Sequence, residues 1–160
     1  MTQKNVNLNK GNPSKAVSVP DRAKWLTFRE AESMDAAYIN DLALREIGVT
    51  LRRLPKHKTL MIYQNKKLIG FISYRRVSEN YLYIYALAFE KEAQNQGNAR
   101  PAVIRIIKKE RETAPLDGIF ARIYKTNQAA LHAALVKYGY RVINELPRYY
   151  VLFDNIQKKS

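Results

Sequence analysis

Two stretches of this chain carry groups whose type and spacing could do chemistry. The first is Glu90 to Lys109, EKEAQNQGNARPAVIRIIKK, where Gly97 sits in a polar loop between the apolar run ending at Phe89 and a basic amphipathic segment. A strand that enters a glycine-bearing loop and then a helix can hold phosphate. First-turn N–H groups point outward, the helix dipole favours negative charge, and glycine lets a ligand approach the backbone. Glycine serving turn geometry alone produces the same pattern, so the spacing by itself leaves both readings open. No Walker lysine follows the glycine and no GxGxxG is present, which disfavours a nucleoside triphosphate or dinucleotide. The second stretch is Tyr81, Tyr83 and Tyr85, at the period of a strand. They are either an aromatic wall of a cleft or the ordinary alternation of a half-buried strand.

Other chemistries are excluded by composition. The chain has no cysteine, so thiolate catalysis, disulfides and cysteine-ligated zinc are unavailable, and its two histidines, His57 and His132, are isolated in sequence. No metal is expected. Lys and Arg number 28 against 14 Asp and Glu, a formal charge of +14 with a pI near 10.0. That excess exceeds what solubility asks for and implies an anionic partner, which composition does not identify. No run approaches the roughly 18 to 20 apolar residues of a membrane span, and the amino terminus lacks an apolar secretory block, so a soluble, cytoplasmic protein without a membrane partner is expected.

The elements that must position these groups follow from periodicity. Residues 1–21 are polar, carry Lys4, Lys10 and Lys15 and no acid before Asp21, and read as a flexible basic arm; residues 22–156 form the folded domain and 157–160 a basic tail. Lys24 to Arg29 suits a strand. The stretch from Ser33 to Leu54 reads as one helix, or two interrupted near Gly48. Leu60 to Tyr63 and Leu68 to Tyr74, around the turn Gln64 to Lys67, predict a hairpin. After a turn at Ser78 to Asn80, Tyr81 to Phe89 is the central strand, with the three tyrosines on one face and Leu82, Ile84 and Ala86 on the other. A helix is predicted over Asn98 to Glu112, where Pro101 fits the first turn. A strand Ile119 to Tyr124, a helix Gln128 to Tyr138 led by Asn127 and closed by Gly139, and strands Tyr140 to Asn144 and Arg148 to Phe153 complete the chain. This order predicts an α/β domain built on a single mixed, mostly antiparallel sheet flanked by helices.

Gln94-Asn95-Gln96-Gly97-Asn98-Ala99 fits the pattern Gln/Arg-x-x-Gly-x-Gly/Ala between a fourth strand and a helix. With the element order and the segment NQAALHAALVKYGY, the chain from Trp25 to Phe153 resembles the GNAT superfamily of acyl-CoA-dependent N-acetyltransferases. The resemblance implies acetyl-CoA as co-substrate, its pyrophosphate cradled by the loop Gln94, Asn95, Gln96, Gly97, Asn98, Ala99 and Arg100. It also implies a pantetheine arm paired with the backbone of Leu87, Ala88 and Phe89, on a strand splayed from its neighbour. Asn127 matches a residue that often contacts the coenzyme, and it is equally suited to a plain helix cap. Arg100 either adds to the phosphate grip or faces solvent. Arg105, Lys108 and Lys109 lie further along and read as a solvated face.

Two positions depart from the family. Tyr83 stands where many members have a glutamate that deprotonates the amine, and Leu135 stands where a tyrosine protonates the leaving thiolate. Tyr138, three positions on from Leu135, points roughly 60° away around a regular helix. Either proximity and backbone donors carry the reaction, with solvent or a tyrosine such as Tyr83 or Tyr85 managing protons, or the fold binds without turnover. Proximity alone is worth up to ~7 to 11 kcal/mol. The positive charge points to an amine acceptor on an acidic macromolecule, a nucleic acid, aminoacyl-tRNA or acidic protein, and disfavours polyamines. Candidate contacts are Arg52, Arg53, Lys56, Lys58, Lys66, Lys67, Arg75 and Arg76. The alternative is a basic nucleic-acid- or protein-binding module. A dimer through an exposed edge strand is compatible with the sequence, with no residue to specify it.

Overall fold

Alternating apolar residues from Leu26 onward build seven strands that share one sheet, in a computed structural model that describes residues 26–51 and 57–156. In chain order they are β1 (Leu26–Glu30), β2 (Lys58–Gln64), β3 (Lys67–Val77), β4 (Tyr81–Phe89), β5 (Gly118–Tyr124), β6 (Arg141–Glu145) and β7 (Tyr149–Asp154). The helices are α1 (Ala36–Ile47), α2 (Ala99–Arg111) and α3 (Gln128–His132), the last continuing into a wider turn over Ala133–Lys137. The sheet order is β1-β2-β3-β4-β5-β7-β6, antiparallel except for the parallel pair β4 and β5. The mixed, mostly antiparallel sheet with flanking helices is thus observed. The basic arm, the tail, Lys24, Trp25, Arg52, Arg53 and Lys56 lie outside the described residues.

Helices cover both faces. On one, Ala102, Val103 and Ile106 of α2 and Leu131 and Ala134 of the α3 segment pack on Ile72, Leu82, Ile84, Ile119 and Leu152. On the other, Ile39, Leu42, Ala43 and Ile47 of α1 pack on Met61, Phe71, Ala86 and Ala88. The start of α1 is anchored by a two-bond fork from Arg29 to Asp35, at 2.9 and 3.0 Å, while Asp35 also accepts the Glu32 N–H. The Arg29 hydrogen bond holds the Asp35 carboxyl below the ordinary carboxylate range despite burial.

Two expectations need correction here. Of the two readings of Ser33 to Leu54, the single unbroken helix is corrected and the interruption at Gly48 is observed. Gly48 adopts φ 71°, the left-handed conformation that ends helices, and Val49 N–H bonds back to the Ala43 carbonyl. Val49 and Leu51 stay buried against α1 without being helical, with the Leu51 N–H bonded to Asn40 Oδ1. The alternation of β4 is also broken. Its register against β3 shifts between Ser73, opposite Ala86, and Tyr74, opposite Ile84, which leaves Tyr85 as the extra residue of a β-bulge. One extra residue reverses the facing of everything after it. Leu82 and Ile84 therefore pack with α2, whereas Ala86 and Ala88 pack with α1.

The carboxylate of Glu110, buried near the end of α2, accepts from Lys58 Nζ at 2.8 Å, Arg76 Nε at 3.0 Å and the Tyr74 hydroxyl at 3.2 Å. Arg76 also donates to the Glu110, Ala114 and Pro115 carbonyls. Lys58 and Arg76, read from sequence as candidate contacts for an acidic partner, both pair with Glu110, Arg76 largely buried and Lys58 more than half exposed. Lys109 pairs with Glu30 and Arg105 lies 5.5 Å from the centre of the Phe28 ring, so that side of α2 is partly engaged rather than simply solvated.

Candidate active site

The parallel pairing of β4 and β5 runs only from Tyr81 with Gly118 to Ile84 with Ala121. Beyond the bulge at Tyr85 the strands part, and Tyr85 to Phe89 have no partner on the β5 side. The gap is a cleft of about 130 Å³ between Tyr85, Ala86 and Leu87 on one side and Arg122, Ile123 and Tyr124 on the other. Ala99, Arg100 and Val103 of α2 and Ala130, Ala133 and Ala134 of the α3 segment close it. That volume is below the roughly 300 to 1,000 Å³ of pockets that engulf a whole ligand, and suits a slender chain threaded between strands. The small alanines of the α3 segment keep the slot open.

At the end of β4 the loop is braced by its own side chains. Gln94 donates to the Phe89 carbonyl at 2.9 Å and to Glu46 at 2.7 Å, Gln96 donates to the Glu92 carbonyl, and Asn98 donates to the Ala93 carbonyl at 3.0 Å. Asn98 stands at the cap position of α2 but makes no side-chain cap bond to the first-turn N–H groups. Asn95 and Gly97 have φ of 60° and 78°, left-handed conformations on either side of Gln96. A Cβ at Gly97 would meet nothing within 4 Å. Three of the loop's four amide side chains, Gln94, Gln96 and Asn98, thus hold its backbone in place.

Asn127 accepts the Ala130 N–H at 3.2 Å, so it is the cap of α3, and it also lines the cleft. Arg100 does not simply face solvent: its guanidinium lies 4.9 Å from the centre of the Tyr138 ring at the cleft wall. The α3 segment also changes which tyrosine reaches the site. The Tyr138 N–H bonds to the Ala133 carbonyl five residues back, a widened turn that shifts the helical phase. Leu135 is 41% exposed, whereas Tyr138 lines the cleft. The expectation from a regular helix, that Tyr138 points away, is corrected by this turn.

Of the two tyrosines singled out on β4, Tyr85 lines the cleft and Tyr83 does not. Burial pushes the Tyr83 hydroxyl upward and outweighs the nearby Arg122 charge, so Tyr83 stays protonated at neutral pH. His57 stacks on Tyr85 with ring centres 4.4 Å apart. Arg122, absent from the sequence-based candidates, lies 3.8 Å from the centre of the Tyr85 ring, 4.9 Å from that of Tyr149 and 5.3 Å from that of Tyr124. No local motif marks Arg122, because its surroundings come from β4, β5 and β7. Arg100 and Arg122 are the charged side chains among the described residues that line the cleft. Among the described residues no group of three or more His, Cys, Asp or Glu is placed to hold a metal ion, and no helix is long and apolar enough to cross a membrane.

The fold is shared with solved structures. Ard1 from Thermoplasma volcanium superposes with a TM-score of 0.69 at 16% identity, over 82% of this chain and 97% of that one. Spermidine N-acetyltransferase from Vibrio cholerae, in complex with CoA and spermine, gives 0.66 at 16% identity over 84% and 98%. The ribosomal-protein-S18-alanine N-acetyltransferase from Escherichia coli gives 0.62 at 15% identity over 80% and 90%. A search of curated proteins finds no match. The family model described as the acetyltransferase (GNAT) family matches residues 21–140, most of the chain and all of the cleft-forming strands β4 and β5. The chain therefore belongs to the acetyltransferase (GNAT) family and is an N-acetyltransferase.

Proposed function

We propose that the protein transfers the acetyl group of acetyl-CoA by direct attack to an amine on an acidic macromolecule. The observation that carries this reading is the cleft itself: an unpaired strand edge leads from a backbone-lined anion cradle to a cavity whose charged side chains are both arginine. Acetyl-CoA would supply an activated acetyl group as a thioester. The amides of Asn95 to Arg100 would hold its pyrophosphate, with Arg100 adding charge. The open edge of β4 over Leu87 to Phe89 would pair with the pantetheine amides as an added strand does, and a backbone N–H there would polarise the thioester carbonyl.

The amine must arrive neutral, form a bond to the carbonyl carbon as the carbon–sulfur bond breaks, and lose a proton while the thiolate gains one. Tyr83 is a poor base because burial keeps it protonated. Tyr85 lines the cleft and would orient the amine. Tyr138 also lines it and would protonate the thiolate. With no glutamate at the Tyr83 position, solvent takes the amine proton and proximity supplies much of the acceleration.

Calorimetry with acetyl-CoA tests the coenzyme site. Wild type should bind at micromolar concentration. Gly97→Glu should abolish binding, because its carboxylate enters open space where the pyrophosphate lies. Gly97→Ala carries the backbone cost of about 1–2 kcal/mol without the charge and should retain most of the affinity. A well-folded wild type that does not bind would refute the coenzyme site and leave the basic binding module as the better account.

A further inference from the structure

We propose that Arg122 recognises the acceptor, binding an oxyanion, carboxylate or phosphate, that the acceptor carries beside the amine to be acetylated. This rests on the acetyltransferase reading above and specifies the chemistry of its second substrate.

Arg122 lies on β5 opposite Val151, just past the point where β4 and β5 part. Its neighbours Ala121 and Ile123 pack toward α2, so alternation turns Arg122 to the other face of the sheet, where Tyr85 and Tyr124 pack. The side chain is half-buried, and among the described residues no carboxylate pairs with it. Arg29, Arg45 and Arg76 each have one. What surrounds Arg122 is aromatic: Tyr85, Tyr124 and Tyr149 present their rings to the guanidinium, and among the described residues its buried Nε–H finds no acceptor.

Burial works against the charge, but Tyr85, Tyr124 and Tyr83 outweigh it and hold the guanidinium charged. The cation is thus kept in the cleft wall with no carboxylate of the described residues beside it, and an anion entering the cleft supplies the partner. Stacking against the rings fixes the plane of the guanidinium in advance, so its fork is preorganised for an oxyanion. The same placement acts against a polyamine. The rings that could receive an ammonium group already hold a cation, and a second positive charge would meet Arg122 directly, with Arg148 beside Tyr124 on the same side.

Matched acceptor pairs test this. An α-amino acid is compared with its amide for a carboxylate, and phosphoethanolamine with ethanolamine for a phosphate; spermidine serves as a purely cationic acceptor. Coenzyme release gives kcat/KM, and the arginine Nε–H signals in ¹⁵N spectra, with Arg122 assigned from its loss in Arg122→Lys, report binding without acetyl-CoA. In at least one pair the anionic member should be preferred by about 10- to 100-fold, and the responding pair identifies the oxyanion. Arg122→Gln should erase that preference with calorimetric affinity for acetyl-CoA unchanged, and Arg122→Lys should keep part of it. The Arg122 Nε–H signal should move with the preferred acceptor and not with its neutral match. Equal use of both members in both pairs, or preference for spermidine, with acetyl-CoA binding intact, overturns the proposal and leaves the acetyltransferase reading standing. Should wild type fail to bind acetyl-CoA or to turn over these small acceptors, the Nε–H titration decides alone: a shift confined to the anionic members supports the anion site, and no shift overturns it. If Arg122→Gln does not fold, the wild-type pairs and Arg122→Lys carry the test.

Discussion

Replacing Glu110 with glutamine removes one negative charge from the interior while keeping the side chain's shape. The carboxylate is buried and takes three hydrogen bonds, from Lys58, Arg76 and Tyr74. Arg76 is one-fifth exposed, so its charge-assisted bond contributes about 1.5–3 kcal/mol. Lys58 is 58% exposed, and solvent screening reduces its share to about 0–1 kcal/mol. The glutamine oxygen still accepts one bond, which leaves an expected loss of about 2–4 kcal/mol at neutral pH. Burial raises the Glu110 pKa, but Lys58, Arg76 and Tyr74 together lower it below the ordinary value of 4.5. A depressed carboxyl stabilises the fold above its unfolded pKa, and the contribution disappears as pH falls through the folded value. The advantage of wild type over Glu110→Gln is therefore full at neutral pH and shrinks below about 4.5. Urea unfolding at several pH values measures it, with the midpoint lowered and the slope unchanged. Acetyl-CoA affinity should be retained where both proteins are folded, since Glu110 lies at the far end of α2 from the loop. A loss under about 1 kcal/mol, or one that stays constant into acid, would refute the account.

Two further outcomes follow from the cleft. Asn127→Asp keeps an oxygen to cap Ala130 but places a negative charge at the cleft, so thermal stability should hold while acetyl-CoA affinity falls in calorimetry. Tyr138→Phe should lower kcat by about 100-fold with acetyl-CoA affinity preserved, whereas Leu135→Ala, at an outward position, should leave kcat unchanged. Equal effects of the two substitutions in steady-state kinetics would count against the phase shift in the α3 segment.

Much of the frame is legible in short-range patterns of residues. Helical recurrence of Val103, Ile106 and Ile107, the alternation of Tyr81 to Ile84, the cap residue Asn127 and the hairpin around Asn65 and Lys66 are local signals, and the corresponding elements appear within three residues of expectation. The glycine loop is equally local, because it depends on a strand, a glycine at φ 78° and a helix start that are contiguous in sequence. What its side chains do is not. Gln94, Gln96 and Asn98 bind carbonyls of the loop itself and of Phe89, partners that come within reach only once the chain has turned.

The sequence by itself determined the class of sheet, the order of its elements, the basic character of the chain and the place of the glycine loop ahead of a helix start. Each of these is written in spacings of four residues or fewer, or in composition. Tertiary structure alone decided the rest. The bulge that leaves Tyr85 extra exists only in the register between β3 and β4, and the widened turn that delivers Tyr138 exists only in the hydrogen bonds of the α3 segment. Arg122 became the cation of the acceptor side because β4, β5 and β7 bring three tyrosines around it and no carboxylate among the described residues. Its surroundings are contributed by residues up to 37 positions away in sequence, Tyr85 among them. A local pattern cannot encode a charge environment that long-range strand pairing assembles.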